Sequence, residues 1–112
     1  MAVSGEFVGF VVEQLSSWGE VSVRRMFGGA GLYREGTMFA VIADDVAYLK
    51  VDDSNRDDFL RAGSAPFEPY PEKIKTTIRT YFEIPADVLE NPDELAQWAE
   101  RSWIVARKRK RK

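Results

Sequence analysis

The densest run of residues with chemical potential is Arg24-Arg25-Met26-Phe27-Gly28-Gly29-Ala30-Gly31-Leu32-Tyr33. Backbone N–H groups of a glycine-rich loop, set beside two guanidinium forks, could cradle a phosphate. The run lacks the Gly-Lys-Ser/Thr ending of a P-loop, and no helical pattern follows it, as a dinucleotide-binding fingerprint requires. Glycine inside a strand pattern otherwise marks a β-bulge or a sharp twist. That structural reading fits the spacing better than a phosphate site.

The carboxylate pairs Asp44/Asp45, Asp52/Asp53 and Asp57/Asp58 lack the spacing of a calcium loop. They fall at expected turns and a helix start, where Asp serves local hydrogen bonding and the helix dipole. The chain has no histidine and no cysteine. Imidazole acid–base chemistry, thiolate nucleophiles, disulfides and Cys-ligated metals are therefore excluded. No catalytic, cofactor-binding or metal-ligating residues are assigned, and the expectation is a protein that is not an enzyme and needs no cofactor. The aromatics Tyr33, Tyr48, Phe67, Tyr70, Tyr81 and Phe82 could form a base-stacking platform. No ribonucleoprotein-type strand motif accompanies them, and core and rim packing is the simpler role.

Charge is divided unevenly along the chain. The formal net charge is -2, yet the last six residues, Arg107, Lys108, Arg109, Lys110, Arg111 and Lys112, carry +6. Without them, 10 basic residues face 18 acidic ones, a net of -8. An acidic body does not draw in a phosphate backbone, whereas the tail can, or it can act as a solvated, solubilising end. Full neutralisation by six cations on duplex DNA would give a log K against log[salt] slope of about -5. The N-terminus has no positive region and carries Glu6 and Glu13, so no leader is expected. No apolar stretch approaches the ~18 residues of a membrane span, and the expected location is the cytoplasm.

The elements that must position these residues follow from periodicity. Phe7, Phe10, Val11 and Leu15 mark an amphipathic helix over residues 4–17, capped by Ser4 and stopped at Gly19. Val21 and Val23 start a strand running to Met26 or Phe27, and Leu32-Tyr33 resumes after the glycines. Residues 38–43 and 46–51 form the next two strands, joined by tight turns into an antiparallel meander. In the second of these, Val46, Tyr48 and Lys50 share one face, and Ala47, Leu49 and Val51 the other. A short helix over residues 55–62, capped by Ser54 or Asp53, has Phe59 and Leu60 as its apolar edge. Residues 64–71 hold three prolines and read as a loop. A long strand from Ile74 to Phe82 follows, then one helical turn near Asp87–Glu90. A last helix opens at Asn91-Pro92-Asp93-Glu94, with Leu95, Trp98, Ala99, Ser102, Val105 and Ala106 facing inward. Trp103, about 140° from Trp98, is expected at the rim or in an intermolecular contact. The result is an α+β domain over residues 1–106, order α-β-β-β-β-α-β-α. Its antiparallel sheet has four to five strands with helices on one face, and a disordered basic tail spans 107–112.

The motif Arg25-Met26-Phe27-Gly28-Gly29-x-Gly31-Leu32-Tyr33, followed by Gly36-x-Met38-Phe39-Ala40 and Tyr48-Leu49-Lys50-Val51-Asp52, resembles the TfoX N-terminal domain family. Phe59, Gly63, Pro66-Phe67, Tyr70, Tyr81-Phe82-Glu83-Ile84-Pro85, Val88-Leu89 and Leu95-x-x-Trp98 keep the family order, so the resemblance spans about residues 8–106. It implies a small α+β unit and a bacterial regulatory module without enzymatic activity. Best-known members are TfoX/Sxy-type competence regulators, coactivators working with the cyclic-AMP receptor protein. Those regulators carry a second, C-terminal domain, where this chain has its basic run.

The combined expectation is a regulatory or adaptor domain acting through protein contacts, with a homodimer left open. Arg24, Arg25, Met26, Phe27, Gly28, Gly29, Gly31 and Tyr33 are the partner-contact residues. The implied partner is a transcription factor of the cyclic-AMP receptor protein type. The alternative is a nonspecific nucleic-acid-binding protein using Arg107–Lys112. No membrane partner is expected.

Overall fold

Two-residue turns fold the first half of the chain into a meander. The computed structural model describes residues 5–26, 29–67 and 78–110. Helix α1 (Gly5–Gln14) leads into β1 (Ser22–Met26), β2 (Gly29–Arg34), β3 (Thr37–Ala43) and β4 (Val46–Lys50). Glu35-Gly36 and Asp44-Asp45 close the β2–β3 and β3–β4 hairpins, and all four residues have positive φ (52°, 81°, 53° and 58°). Left-handed backbone at both central residues gives a turn whose twist matches that of the strands it joins.

After β4 come α2 (Arg56–Arg61), β5 (Pro66–Phe67), β6 (Ile78–Glu83), α3 (Ala86–Leu89) and α4 (Pro92–Lys110). The strands form one antiparallel sheet in the order β1-β2-β3-β4-β6-β5. The α+β class stands, but the described sheet has six strands where four to five were expected. The addition is β5, within a stretch read as loop. Its two residues pair with β6 at the sheet edge, where proline's missing N–H leaves no ladder bond unmade. Residues 68–77, including the expected start of the long strand at Ile74, lie outside the described residues, as does Ser4.

The four helices among the described residues cover one face of the sheet. Val8 and Val11 of α1, with Leu15 just after it, share one core with Leu32, Phe39 and Leu49 of the sheet and Leu95 and Ala99 of α4. Each fully buried Leu or Phe in this core contributes about 1.5–3 kcal/mol. Phe10, expected on the buried stripe, is 40% exposed; Val8 takes its place, because the stripe is narrower than the apolar composition of α1. Leu60 of α2 is likewise exposed, while Phe59 is buried.

Helix α4 starts as its sequence dictates. Asn91 Oδ1 accepts the backbone N–H of Glu94 at 3.2 Å, and the Asn91 carbonyl accepts that of Leu95 at 2.8 Å. The helix then continues past Ala106 to Lys110, so the first four residues of the basic run are helical, not an unstructured tail. Cationic side chains near a helix C-terminus favour such an extension through the dipole.

Asn55, at the N-cap position of α2 where Ser54 or Asp53 was expected, makes no cap hydrogen bond with its side chain. It is buried and ties three elements together instead. Its Nδ2 donates to the Lys50 carbonyl (3.1 Å) and to Ser102 Oγ (3.4 Å), and its Oδ1 accepts the Asp52 N–H (2.9 Å).

Candidate interaction site

β1 is an outer strand of the sheet, and Ser22 through Arg25 are exposed along it. Its register with β2 sets Arg24 opposite Gly31, Arg25 opposite Ala30 and Met26 opposite Gly29. Successive strand residues point to opposite faces, so Arg24 and Arg25 do not form one fork. Arg25 lies on the helix side, its Nη2 3.8 Å from the position a Cβ would take on Gly5 of α1. Arg24 lies on the other side, its guanidinium 5.4 Å from the centre of the Tyr33 ring. Gly31, with no side chain on that face, leaves the diagonal from Arg24 to Tyr33 open.

Among the described residues, the motif glycines belong to a strand and not to a loop. Gly29 and Gly31 are both buried within β2. A Cβ on Gly29 would stand 2.4 Å from the Ile42 carbonyl oxygen, so the close approach of β2 to β3 admits only glycine. The irregularity nearest the glycines is on the other side of the hairpin, where the register of β2 on β3 slips between Leu32 and Tyr33. Leu32 pairs with Ala40 and Tyr33 with Met38, so Phe39 is the extra residue and is buried. Alternation along β2 is unbroken, with Leu32 and Arg34 on the helix side and Gly31 and Tyr33 on the other; on β3 the slip puts both Phe39 and Ala40 into the core. The structure thus brings together Arg24, Gly31 and Tyr33, and places Gly29 as a structural residue. Phe27 and Gly28 lie outside the described residues, and Met26 is placed by its backbone alone.

A second cluster holds the base of the basic run. The Arg34 guanidinium sits 4.3 Å from the Trp18 ring centre and 4.7 Å from that of Trp103. Arg107 also lies over Trp103, at 4.7 Å. Trp103 donates its indole N–H to the Arg34 carbonyl at 3.0 Å, and Trp18 donates to Glu100 Oε1 at 2.8 Å. This corrects the expectation for the two tryptophans. Trp103 is the buried one, 8% exposed, and Trp98 is half-buried, edge-on to Phe59 at 4.8 Å. Arg34, from a distant hairpin, buries Trp103, and the periodicity of a single helix does not register such a partner.

Arg107 and Lys108 are exposed on α4, Arg109 and Lys110 continue its backbone, and Arg111 and Lys112 lie outside the described residues. Lys108 comes close enough to act on Asp52. Partial burial opposes ionisation there, but hydrogen bonds from the Ser54 hydroxyl and backbone, with the charges of Lys108 and Arg56, hold the Asp52 carboxyl below its ordinary value. Asp53 pairs locally with Arg56, and Asp58 pairs with Arg61 on its own helix and with Arg101 of α4. Among the described residues, no three Asp or Glu side chains converge as metal ligands, and no helix is long and apolar enough to cross a membrane.

The model of the TfoX N-terminal domain family matches residues 13–106. The chain belongs to that family. Among curated proteins, none matches this sequence. The family match takes in the β1–β2 hairpin, the Trp18–Arg34–Trp103 stack and all of α4 up to the basic run.

Proposed function

We propose that this chain is a non-enzymatic cytoplasmic regulatory adaptor, similar in role to the N-terminal module of TfoX-type coactivators, and that it works by protein contact along β1. The supporting observation is the position of β1, exposed at the edge of the sheet with Arg24 and Arg25 presented to its two sides. An edge strand offers main-chain pairing to an extended segment, and flanking cations select an acidic one. A transcription factor of the cyclic-AMP receptor protein type is the partner that family membership suggests. Calorimetric titration of the full chain into such a factor, with and without bound cyclic AMP, tests this. Binding that weakens at least tenfold in Arg24→Ala/Arg25→Ala supports the reading, and unchanged binding in that variant defeats the assignment of β1.

A second reading rests on the helical extension of α4 into the basic run, anchored by Arg107 on Trp103. On this reading the chain holds duplex nucleic acid without sequence preference through Arg107–Lys112. Affinity that falls steeply with salt, and disappears when those six residues are changed to Gln, would support it.

A further inference from the structure

Among the described residues, four helices occupy one face of the sheet, and alternation assigns a distinct set of side chains to the other. Arg24, Tyr33, Tyr48, Lys50 and Tyr81 are on this second face by register: Arg24 opposite Gly31, Tyr48 opposite Val41 and Glu83, and Lys50 opposite Tyr81. Phe67 of β5 joins them, its ring 4.7 Å from that of Tyr48. Two cations lie over rings: Arg24 over Tyr33 at 5.4 Å and Lys50 over Tyr81 at 4.8 Å. Tyr33 and Tyr48 are half-buried, and Tyr81 is buried beneath Lys50.

We propose that this face binds single-stranded nucleic acid, with bases stacking on Tyr33 and Tyr48 and phosphates meeting Arg24 and Lys50. β2 and β4 are separated by β3, about 10 Å at about 4.8 Å per strand, and Tyr33 pairs with Met38 where Tyr48 pairs with Val41, a further offset of about 7–10 Å along the strands, so the two tyrosines stand about 12–14 Å apart. Each has a cation on a neighbouring position of the same face. A nucleotide brings one π-face and one phosphate, which is the same alternation of aromatic and cationic groups. An acidic peptide would satisfy the cations and leave the rings unmatched. A duplex keeps its bases stacked inside and has no face to offer. The guanidinium of Arg24 lies over Tyr33 already, so a base arriving there exchanges one π-partner for another while Arg24 swings to phosphate. Glu83, opposite Tyr48 on β6, disfavours a phosphate on that flank and directs the strand from Tyr48 towards Tyr33 and β1. With a net charge of -8 over residues 1–106, the body repels polyanions in general, so binding is confined to this cationic face and the end of α4.

The test is fluorescence anisotropy with a labelled twelve-nucleotide oligo-dT, a duplex of equal length and a poly-glutamate competitor. It uses the full 112-residue chain and a full-length variant with residues 107–112 changed to Gln, which removes the tail's contribution. The tail-neutral chain is expected to prefer the single strand at least tenfold over the duplex, with poly-glutamate competing poorly. Adding Tyr33→Leu/Tyr48→Leu should weaken single-strand binding at least about tenfold, while Tyr33→Phe/Tyr48→Phe stays within about threefold. Arg24→Gln/Lys50→Gln should flatten the salt slope by about 1.4. If circular dichroism shows that the Leu pair does not fold, the Gln pair decides by that slope. Failure of the tail-neutral chain to bind, equal binding of duplex, equal competition by poly-glutamate, or indifference to the Leu pair in a folded protein would each overturn the proposal.

Discussion

Replacing Gly29 by alanine puts the close packing of the glycine motif under its most direct strain. The added Cβ would lie 2.4 Å from the Ile42 carbonyl oxygen, with the Ile42 carbonyl carbon at 3.5 Å and Ala43 Cα at 3.7 Å behind it. All three are backbone atoms of β3, an inner strand paired on both sides, so none can swing away as a side-chain end would. Relieving the contact to even 3.0 Å requires β2 to move by about 0.6 Å, through a ladder that also carries β1. Overpacking of this kind costs about 1–3 kcal/mol, and the rigidity of both partners places this case at the upper end. With a urea m-value of about 1–3 kcal/mol/M, the unfolding midpoint should drop by about 1–3 M. The control is Gly9→Ala: nothing lies within 4 Å of that Cβ, and the residue is in α1, so stability should rise by about 0.5–1 kcal/mol. A Gly29→Ala midpoint within about 0.2 M of the parent, or equal shifts in both variants, would refute the packing argument.

Three further outcomes follow from the same geometry. Burial and the neighbouring Tyr33 push the Tyr81 phenol from 10.0 up to about 12, so the unfolded chain releases its proton first and stability is lost as pH rises through that window. A loss of about 3 kcal/mol between pH 10 and 12 should appear in denaturant titrations and be absent in Tyr81→Phe. Asn55→Ala strands the Lys50 carbonyl and the Asp52 N–H, and thermal unfolding should report a cost of about 2–3 kcal/mol. Arg34→Lys exchanges a planar guanidinium between Trp18 and Trp103 for a point charge; a loss of about 1 kcal/mol and a shift in tryptophan emission are expected.

Much of the frame was legible in local pattern. The alternation of Val46, Tyr48 and Lys50 against Ala47 and Leu49 gave the two faces of β4 correctly, and Asn91 announced the start of α4. Where local pattern misled, partners distant in sequence decided the outcome. Trp103 is buried because Arg34, 69 residues earlier, stacks its guanidinium on the ring and accepts the indole N–H at its carbonyl. Asn55 forgoes capping because Ser102 and the end of β4 converge on it. Gly29 is structural, as its place in a strand pattern suggested, but the register slip lies at Phe39, one strand over, because the pairing of β2 on β3 absorbs the extra residue there. At the candidate site, composition pointed to Arg24 and Arg25 together. Only strand pairing separates them onto two faces and leaves Arg24 with Tyr33.

If β1 is where this module meets its protein partner, photocrosslinking from that strand captures the partner whatever its identity. A photoreactive residue at Val23, 38% exposed on β1, is compared in cells expressing the full chain with one at Leu60, 54% exposed on α2. The predicted result is a discrete protein adduct from Val23, lost when Arg24 and Arg25 are changed to Ala, and none from Leu60. The same adducts from both positions, or none from Val23, would contradict a partner site on β1.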